Sequence, residues 1–487
     1  MDVDKTDGTA VATAEGLGGA PQGTVLNVAI VGSGAGGMYC ATRLLERLPQ
    51  VHVDVYEQRP VPFGLLRHGV APDHRKPETI VAEFEELFAD PRLRLIAGVT
   101  VCADITRAEM AAHYDAVIWA IGARTAHHLR VPGEGLDGVY TADDFFGWYT
   151  GLPSAPRIHL DGVREAVVIG LGDVGLDIAR VLLKPAGAFA DTQMPTEVIE
   201  ELAAHRVPRV TIMDIAPAHR IRVKTKVLQE VLDLDRLAID IDPADIAELP
   251  EDADQRCQDN MAAFGAAAGR QADEPHAHLR IVFQHRPVEI VGTHGVTGVV
   301  GATEAAAPGA PEAELDAARV LPPDGEHAEP PELIAKPVVR NNFPAQLVVT
   351  AIGDDVAHLE GLPWDANRRI VPSQDTRLLD DGRVQAREYV SGWARRGNVA
   401  GFRFTRMDAD AVLEALLADL GHGLLRAPDP GPDKVLEMLA QRGVEPIGWQ
   451  DWHRLELAED ARGARQGRPI ARIIDAAEQD AVLHPGH

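Results

Sequence analysis

Short apolar runs that stop at glycine recur along the chain. Val28-Ala29-Ile30-Val31 ends at Gly32-Ser33-Gly34-Ala35-Gly36-Gly37, and Ala166-Val167-Val168-Ile169 ends at Gly170-Leu171-Gly172-Asp173-Val174-Gly175. A four-residue apolar run bounded by glycine predicts a buried strand entering a tight turn. After the first turn, a helix is expected over Met38–Arg47, and a second strand, Val51–Tyr56, ends in Glu57. A like unit spans Arg164 to about Met213. Two further runs, Tyr114–Ala123 and Ala345–Asp354, are near copies, each a strand running into a small-residue turn at Gly122 or Gly353.

Strand, G-x-G-x-x-G turn, helix and a carboxylate at the end of the next strand form a dinucleotide-binding arrangement. The glycines admit a pyrophosphate to the helix N-terminus, and the acid accepts hydrogen bonds from ribose hydroxyls. Gly32, Gly34 and Gly37 with Glu57 meet that description, and Gly170, Gly172 and Gly175 repeat it. The chain therefore predicts an α/β protein with two Rossmann-like three-layer domains that hold two dinucleotides. The near-copy strands predict that the second domain is inserted into a split first one. The expected boundaries are a disordered tail over 1–24, a first-domain segment over 25–130, the inserted domain over 131–344 and the returning segment with a C-terminal tail over 345–487.

Composition narrows the chemistry. At 487 residues and 45% hydrophobic, the chain is long enough for two or three cores, and no apolar run approaches the roughly 20 residues of a membrane span. The N-terminus has neither a signal-peptide core nor a transit-peptide face, which predicts a cytoplasmic protein. Cys40, Cys102 and Cys257 are far apart with no CxxC, so a redox dithiol and a cysteine-held iron–sulfur cluster are excluded. A formal charge of −27 argues against nucleic acid and membrane partners. The stretches 249–274 and 305–331 are rich in Ala, Pro and acids and predict surface loop or disorder. Helical spacing over Ala411–Leu420 is expected to close the first domain, and the tail with Trp449 and Trp452 to serve packing.

Several blocks resemble the adrenodoxin-reductase-like ferredoxin–NADP⁺ reductases. They are Val28–Gly34, Pro62–His74 (PFGLLRHGVAPDH), Phe145–Pro153 (FFGWYTGLP), Gly170–Arg180 (GLGDVGLDIAR), Gly361–Asp365 and Gly392–Gly397, in family order. The resemblance implies a split FAD domain with an inserted nicotinamide-nucleotide domain, and a flavin that passes electrons to a ferredoxin-type iron–sulfur protein. It implies FAD contacts at Gly32, Gly34, Ala35, Gly37, Glu57, Gly64 and Leu65, with Gly122, Gly353 and Trp393 near the flavin. It assigns Gly170, Gly172, Asp173 and Val174 to the nicotinamide nucleotide, and matches His74 and Glu230 to the family's catalytic histidine and its acidic companion.

The departures concern chemistry more than fold. Where the family carries Arg-Arg-Gly-Pro to clamp the NADP 2′-phosphate, this chain's strand runs into Asp214-Ile215-Ala216-Pro217, and counting back from Glu230 without gaps puts the two arginines at Ile215 and Ala216. Asp214 suits ribose hydroxyls and repels a phosphate, favouring NADH over NADPH. A basic stretch, His219, Arg220, Arg222, Lys224 and Lys226, is a candidate for phosphate contact or for docking the iron–sulfur partner. At the flavin pyrimidine the family's Gly-Pro-Thr-Gly-Val-Ile becomes Gly397-Asn398-Val399-Ala400-Gly401-Phe402, which leaves Ala400, Gly401 and Phe402 as backbone contacts. Asp173 replaces a family asparagine and is unfavourable beside a pyrophosphate unless protonated, turned away or paired. The leading expectation is an FAD-dependent NAD(P)H–ferredoxin reductase. The alternatives are a flavoenzyme of this fold acting on a small molecule, with a repurposed nicotinamide site, and an FAD-binding assembly subunit.

Overall fold

The computed structural model describes residues 25–74, 76–123, 125–273, 275–304, 338–397, 402–425 and 431–485. The expected tail over 1–24 and the 305–331 stretch lie outside them. The chain divides into two compact units: 25–64, 82–123 and 356–449 form the first, and 65–81, 124–355 and 450–487 the second.

The first unit is built on a seven-stranded sheet. The strand Leu26–Val31 lies between Val51–Glu57 and Ala116–Trp119, parallel to both, with Val31 opposite Tyr56 and Trp119. Val28, Ala29 and Ile30 are completely buried, because a central parallel strand is covered on both faces; that is why it reads as an unbroken apolar run. The strand Leu93–Ala97 ends one side of the sheet. On the other side Arg383–Val390 leads to the antiparallel edge strands Arg377–Asp380 and Ser373–Gln374. The helix Ala35–Arg47 buries Gly37, Met38, Ala41, Leu44 and Leu45, a helical stripe. The expected helix over 411–420 is the second half of Phe402–Gly421.

The second unit has a six-stranded parallel sheet in the order Val139–Thr141, Leu347–Thr350, Glu165–Ile169, Arg209–Met213, Ala277–Val282, Leu237–Ile241. An antiparallel sheet of Arg286–Gly292, Val296–Glu304 and Val338–Pro344 accompanies it. Among the described residues no helix is long and apolar enough to cross a membrane.

Three expectations about organisation need correction. Leu347–Thr350 hydrogen-bonds to Glu165–Ile169 with Thr350 opposite Ile169, so the run 345–355 completes the second unit instead of opening the returning half of the first. The tail 450–487 also belongs to the second unit. Trp452 and Leu455 are fully buried, the Arg67 guanidinium lies 4.4 Å over the Trp452 ring, and Arg67 pairs with Glu459 at 2.8 Å. The stretch 249–274 contains a helix, Gln255–Ala267, whose N-cap Asp254 accepts from the Cys257 amide. Its buried face is Cys257, Asn260, Met261, Phe264 and Ala267, a helical period diluted by small residues.

Candidate functional site

In the first unit the glycine turn is held by the strand beside it. The Gly32 amide donates to the Tyr56 carbonyl at 2.8 Å. Gly32 has φ +108°, and a Cβ there would stand 2.4 Å from the Ala120 carbonyl oxygen, so only glycine fits. Glu57 is buried and ties the turn. Its Oε2 accepts from the Ser33 hydroxyl at 2.6 Å and the Ser33 amide at 3.3 Å, while Oε1 accepts from the Arg59 amide at 3.1 Å. The Phe63 amide donates to Ser33 Oγ at 3.0 Å, which folds the following loop back until a Cβ on Gly64 would lie 3.3 Å from Gly34 Cα. The helix N-cap is Gly34, which offers no side-chain cap, and the space a Cβ would take there is open for 4 Å. Uncapped amides facing open space are a ready anion site, with Ala35 the first helical residue.

The second unit repeats the backbone contacts of this device. The Gly170 amide donates to the Met213 carbonyl at 2.8 Å, and a Cβ on Gly170 would meet the Ala351 carbonyl oxygen at 2.3 Å. Asp214, one residue past its strand, accepts from the Leu171 amide at 2.7 Å through Oδ2 and from the Ala216 amide at 2.8 Å through Oδ1. Gly172 is an uncapped N-cap with open space before it. Asp173, the first helical residue, is paired: Oδ1 accepts from the Lys224 amide at 2.9 Å and Oδ2 pairs with the Lys224 ammonium. Of the three expected outcomes for that carboxylate, pairing is the one found. Val174, next on the helix, is exposed.

The basic stretch beyond Asp214 is not a free cationic patch. Arg222 pairs with Asp254 at 2.8 Å, Lys224 with Asp173, and Lys226 with Glu230 at 3.8 Å. Arg220 closes a 3₁₀ turn, Ala218–Arg220, and is half-buried.

His74 sits in a charged cluster of the second unit. Its Nε2 is 3.0 Å from Asp177 Oδ1, whereas Glu230, its expected partner, is 3.9 Å from Nδ1. Arg180, almost wholly buried, joins the group: it reaches Asp73 at 2.8 Å, Asp177 at 3.0 Å and Glu230 at 3.2 Å. Lys184 adds a second cation to Asp73 at 2.9 Å. Asp177 is thus the direct acceptor and Glu230 the outer one. Asp177 lies inside the GLGDVGLDIAR block, three residues before Arg180 on one helix face, the only sequence signal for it. The hydrogen bond to Asp177 raises the His74 pKa, against burial and the Arg180 charge. Burial pushes the Asp73 carboxyl up, but Arg180 and Lys184 outweigh it and hold it below the ordinary range.

That assignment is testable. With its pKa raised in the folded protein, His74 contributes stability in full below the ordinary value of about 6.5, and the contribution is lost as pH rises through the raised value. Replacing Asp177 with Asn is expected to move the His74 titration, followed by NMR of the imidazole, to lower pH. An unchanged midpoint would remove Asp177 from the pairing.

The remaining expected residues fall as follows. Gly392, at φ +66°, brings the exit of Arg383–Val390 against the first turn, where its Cβ would lie 3.6 Å from Gly36 Cα; Trp393 follows, half-buried on the core. Gly122, at φ +74° after Ala116–Trp119, belongs to the first unit. Gly353, at φ +100°, ends the equivalent strand of the second unit and so moves from the flavin to the nicotinamide side of the expectation. Leu65 begins the short helix Leu65–His68, clustered with the second unit. Ala400 and Gly401 lie outside the described residues, and Phe402 opens the helix Phe402–Gly421. Burial pushes the Cys40 thiol up to about 12, so that cysteine is inert at neutral pH.

A family model described as pyridine nucleotide-disulphide oxidoreductase matches residues 26–233. The NADPH-ferredoxin reductase FprA of Mycobacterium tuberculosis (strain ATCC 25618 / H37Rv) is 32% identical over 469 residues, 93% of this chain and 97% of that protein. Human mitochondrial NADPH:adrenodoxin oxidoreductase is 31% identical over 475 residues, 94% of this chain and 92% of that protein. The solved structure of M. tuberculosis FprA in complex with NADPH matches with a TM-score of 0.82 at 29% identity, covering 94% of this chain and 100% of that one. Similar to both relatives over nearly its whole length, the chain belongs to the family of the NADPH-ferredoxin and NADPH:adrenodoxin reductases.

Proposed function

We propose that the protein is an FAD-dependent reductase that carries electrons from a reduced nicotinamide nucleotide to a ferredoxin-type iron–sulfur protein. The observation that carries this reading is the duplicated device of turn, open helix N-terminus and tying carboxylate, one copy in each unit. The residues fit the groups. Gly34 and Gly172 leave room where a Cβ would stand, and in each unit the helix N-terminus there has no side-chain cap. Gly32, Gly34, Ala35, Gly37, Glu57 and Gly64 would hold FAD, and Gly170, Gly172, Asp173, Val174 and Asp214 the nicotinamide nucleotide. When bound, the flavin supplies the conversion between two-electron hydride chemistry and one-electron transfer. The chain's own work is to bind and orient both groups and to hold a proton at His74, with Asp177, Arg180 and Asp73 setting its charge. The cytoplasm is the compartment we propose, supported by three cysteines present as free thiols.

Anaerobic mixing of the purified yellow protein with NADH or NADPH in a stopped-flow instrument tests this. The expected result is flavin bleaching by at least one nucleotide and ferredoxin-dependent reduction of cytochrome c. Bleaching by neither would overturn it. Bleaching with no onward transfer to any ferredoxin would replace the iron–sulfur partner with a small molecule.

A further inference from the structure

We infer that the nicotinamide nucleotide this protein selects is NADH, and that Asp214 is the selecting residue. The inference rests on the second turn being the nicotinamide-nucleotide site and names which nucleotide it takes. The relatives named above are NADPH enzymes by name, so on this point the chain departs from them.

The internal repeat carries the argument. Val31 stands opposite Tyr56 and Ile169 opposite Met213, so Glu57 and Asp214 occupy the same place, each directly after the residue that faces the end of the first strand of its unit. Each takes the amide of the residue after the first glycine, Ser33 or Leu171, and the amide two residues beyond itself, Arg59 or Ala216. In this arrangement the acid at that place accepts the adenosine ribose hydroxyls, and a 2′-phosphate needs a cation there instead. Each Asp214 oxygen uses one lone pair on an amide and keeps the other, enough for the 2′- and 3′-hydroxyls. The same two amides pin the carboxylate. It cannot swing away from a 2′-phosphate without giving up both hydrogen bonds that shape the turn.

Most of the basic stretch beyond Asp214 is engaged, and Arg220 is half-buried at the end of its 3₁₀ turn. Ile215 and Ala216 follow directly, and Arg222, Lys224 and Lys226 each already face a carboxylate. A 2′-phosphate would meet a fixed like charge, whereas a 2′-hydroxyl finds an acceptor.

The test pairs kinetics with binding that needs no turnover. Wild-type protein is expected to favour NADH over NADPH by at least roughly tenfold in kcat/KM, and 5′-AMP is expected to bind more tightly than 2′,5′-ADP by calorimetry. Asp214→Asn should reduce that preference at least about tenfold, and the double variant Ile215→Arg/Ala216→Arg should improve 2′,5′-ADP binding. Retained FAD absorbance and an unchanged melting point certify each variant. A wild-type preference for NADPH, or tighter 2′,5′-ADP than 5′-AMP, would overturn the inference while leaving the reductase reading intact. Flavin reduction by neither nucleotide, with 5′-AMP still favoured, would overturn the reductase reading and support the selectivity.

Discussion

Gly37→Ala is expected to give a folded but colourless protein that has lost most of its FAD. A Cβ at that position would stand 1.9 Å from the Gly32 carbonyl oxygen and 2.9 Å from Ile30 Cγ2. Neither neighbour can yield cheaply, because the Gly32 amide is bonded to the adjacent strand and Ile30 is fully buried in the sheet. Forcing a methyl into such a site costs about 1–3 kcal/mol through backbone displacement, and the displaced segment is the turn that admits the pyrophosphate. Gly175→Ala introduces the same clash, 2.0 Å from the Gly170 carbonyl oxygen, in the second unit. That protein should stay yellow and lose nucleotide affinity by about tenfold or more. Visible absorbance of the purified variants and equilibrium titration with nucleotide read both outcomes. A yellow Gly37→Ala protein with its full flavin content would mean that the first turn does not hold the cofactor.

The second large effect concerns stability. Glu459→Ala is expected to destabilise the second unit by about 3–5 kcal/mol, because it removes the carboxylate that faces buried guanidiniums. Glu459 Oε2 accepts from Arg67 at 2.8 Å, and Oε1 accepts from the Ile473 amide at 3.1 Å. Arg472 is also buried, donating to the carbonyls of Arg67 and Thr150. Burial, with the Arg67 charge beside it, pulls the Arg472 guanidinium down to about 9, which shows how little positive charge this pocket tolerates. Without Glu459 the pocket keeps two cations, and Glu78 is the carboxylate left acting on Arg472. A thermal melt should fall by on the order of 10 °C, with nucleotide binding lost at lower temperature than flavin. A midpoint within about a degree of the parent's would show that water or local rearrangement compensates the charge.

Much of the fold was legible because parallel strands buried on both faces leave unbroken apolar runs, and because the turns they enter tolerate only glycine. Val28–Val31 with Gly32, and Ala166–Ile169 with Gly170, announce themselves for that reason. The carboxylates were legible by position: Glu57 closes its strand and Asp214 directly follows one. What could not be read were pairings across long sequence distance. Asp177 looks like any acid on an amphipathic helix until His74, 103 residues earlier, is found against it. Asp173 reads as a liability because Lys224 is 51 residues away. The near copy at 345–354 was recognisable as a strand, but its neighbours were not, since nothing in a buried apolar run says which sheet it joins. The helix Gln255–Ala267 was hidden by its alanines, whose small side chains blur a helical period.

The salt bridge between Arg67 and Glu459 joins residues 392 positions apart, and the chain changes unit four times on the way. A unit whose early segment waits for its last one cannot close while it is being synthesised. The segments 65–81 and 124–355 must emerge and persist without the helix Trp449–Arg465, which carries Trp452 and Glu459 and neutralises Arg67. Such long-range closure makes folding slow and leaves apolar surface exposed in the meantime. Residues 450–487 therefore act as the latch of the second unit, and the yield of folded protein should respond to how well a nascent chain is sheltered until that latch arrives.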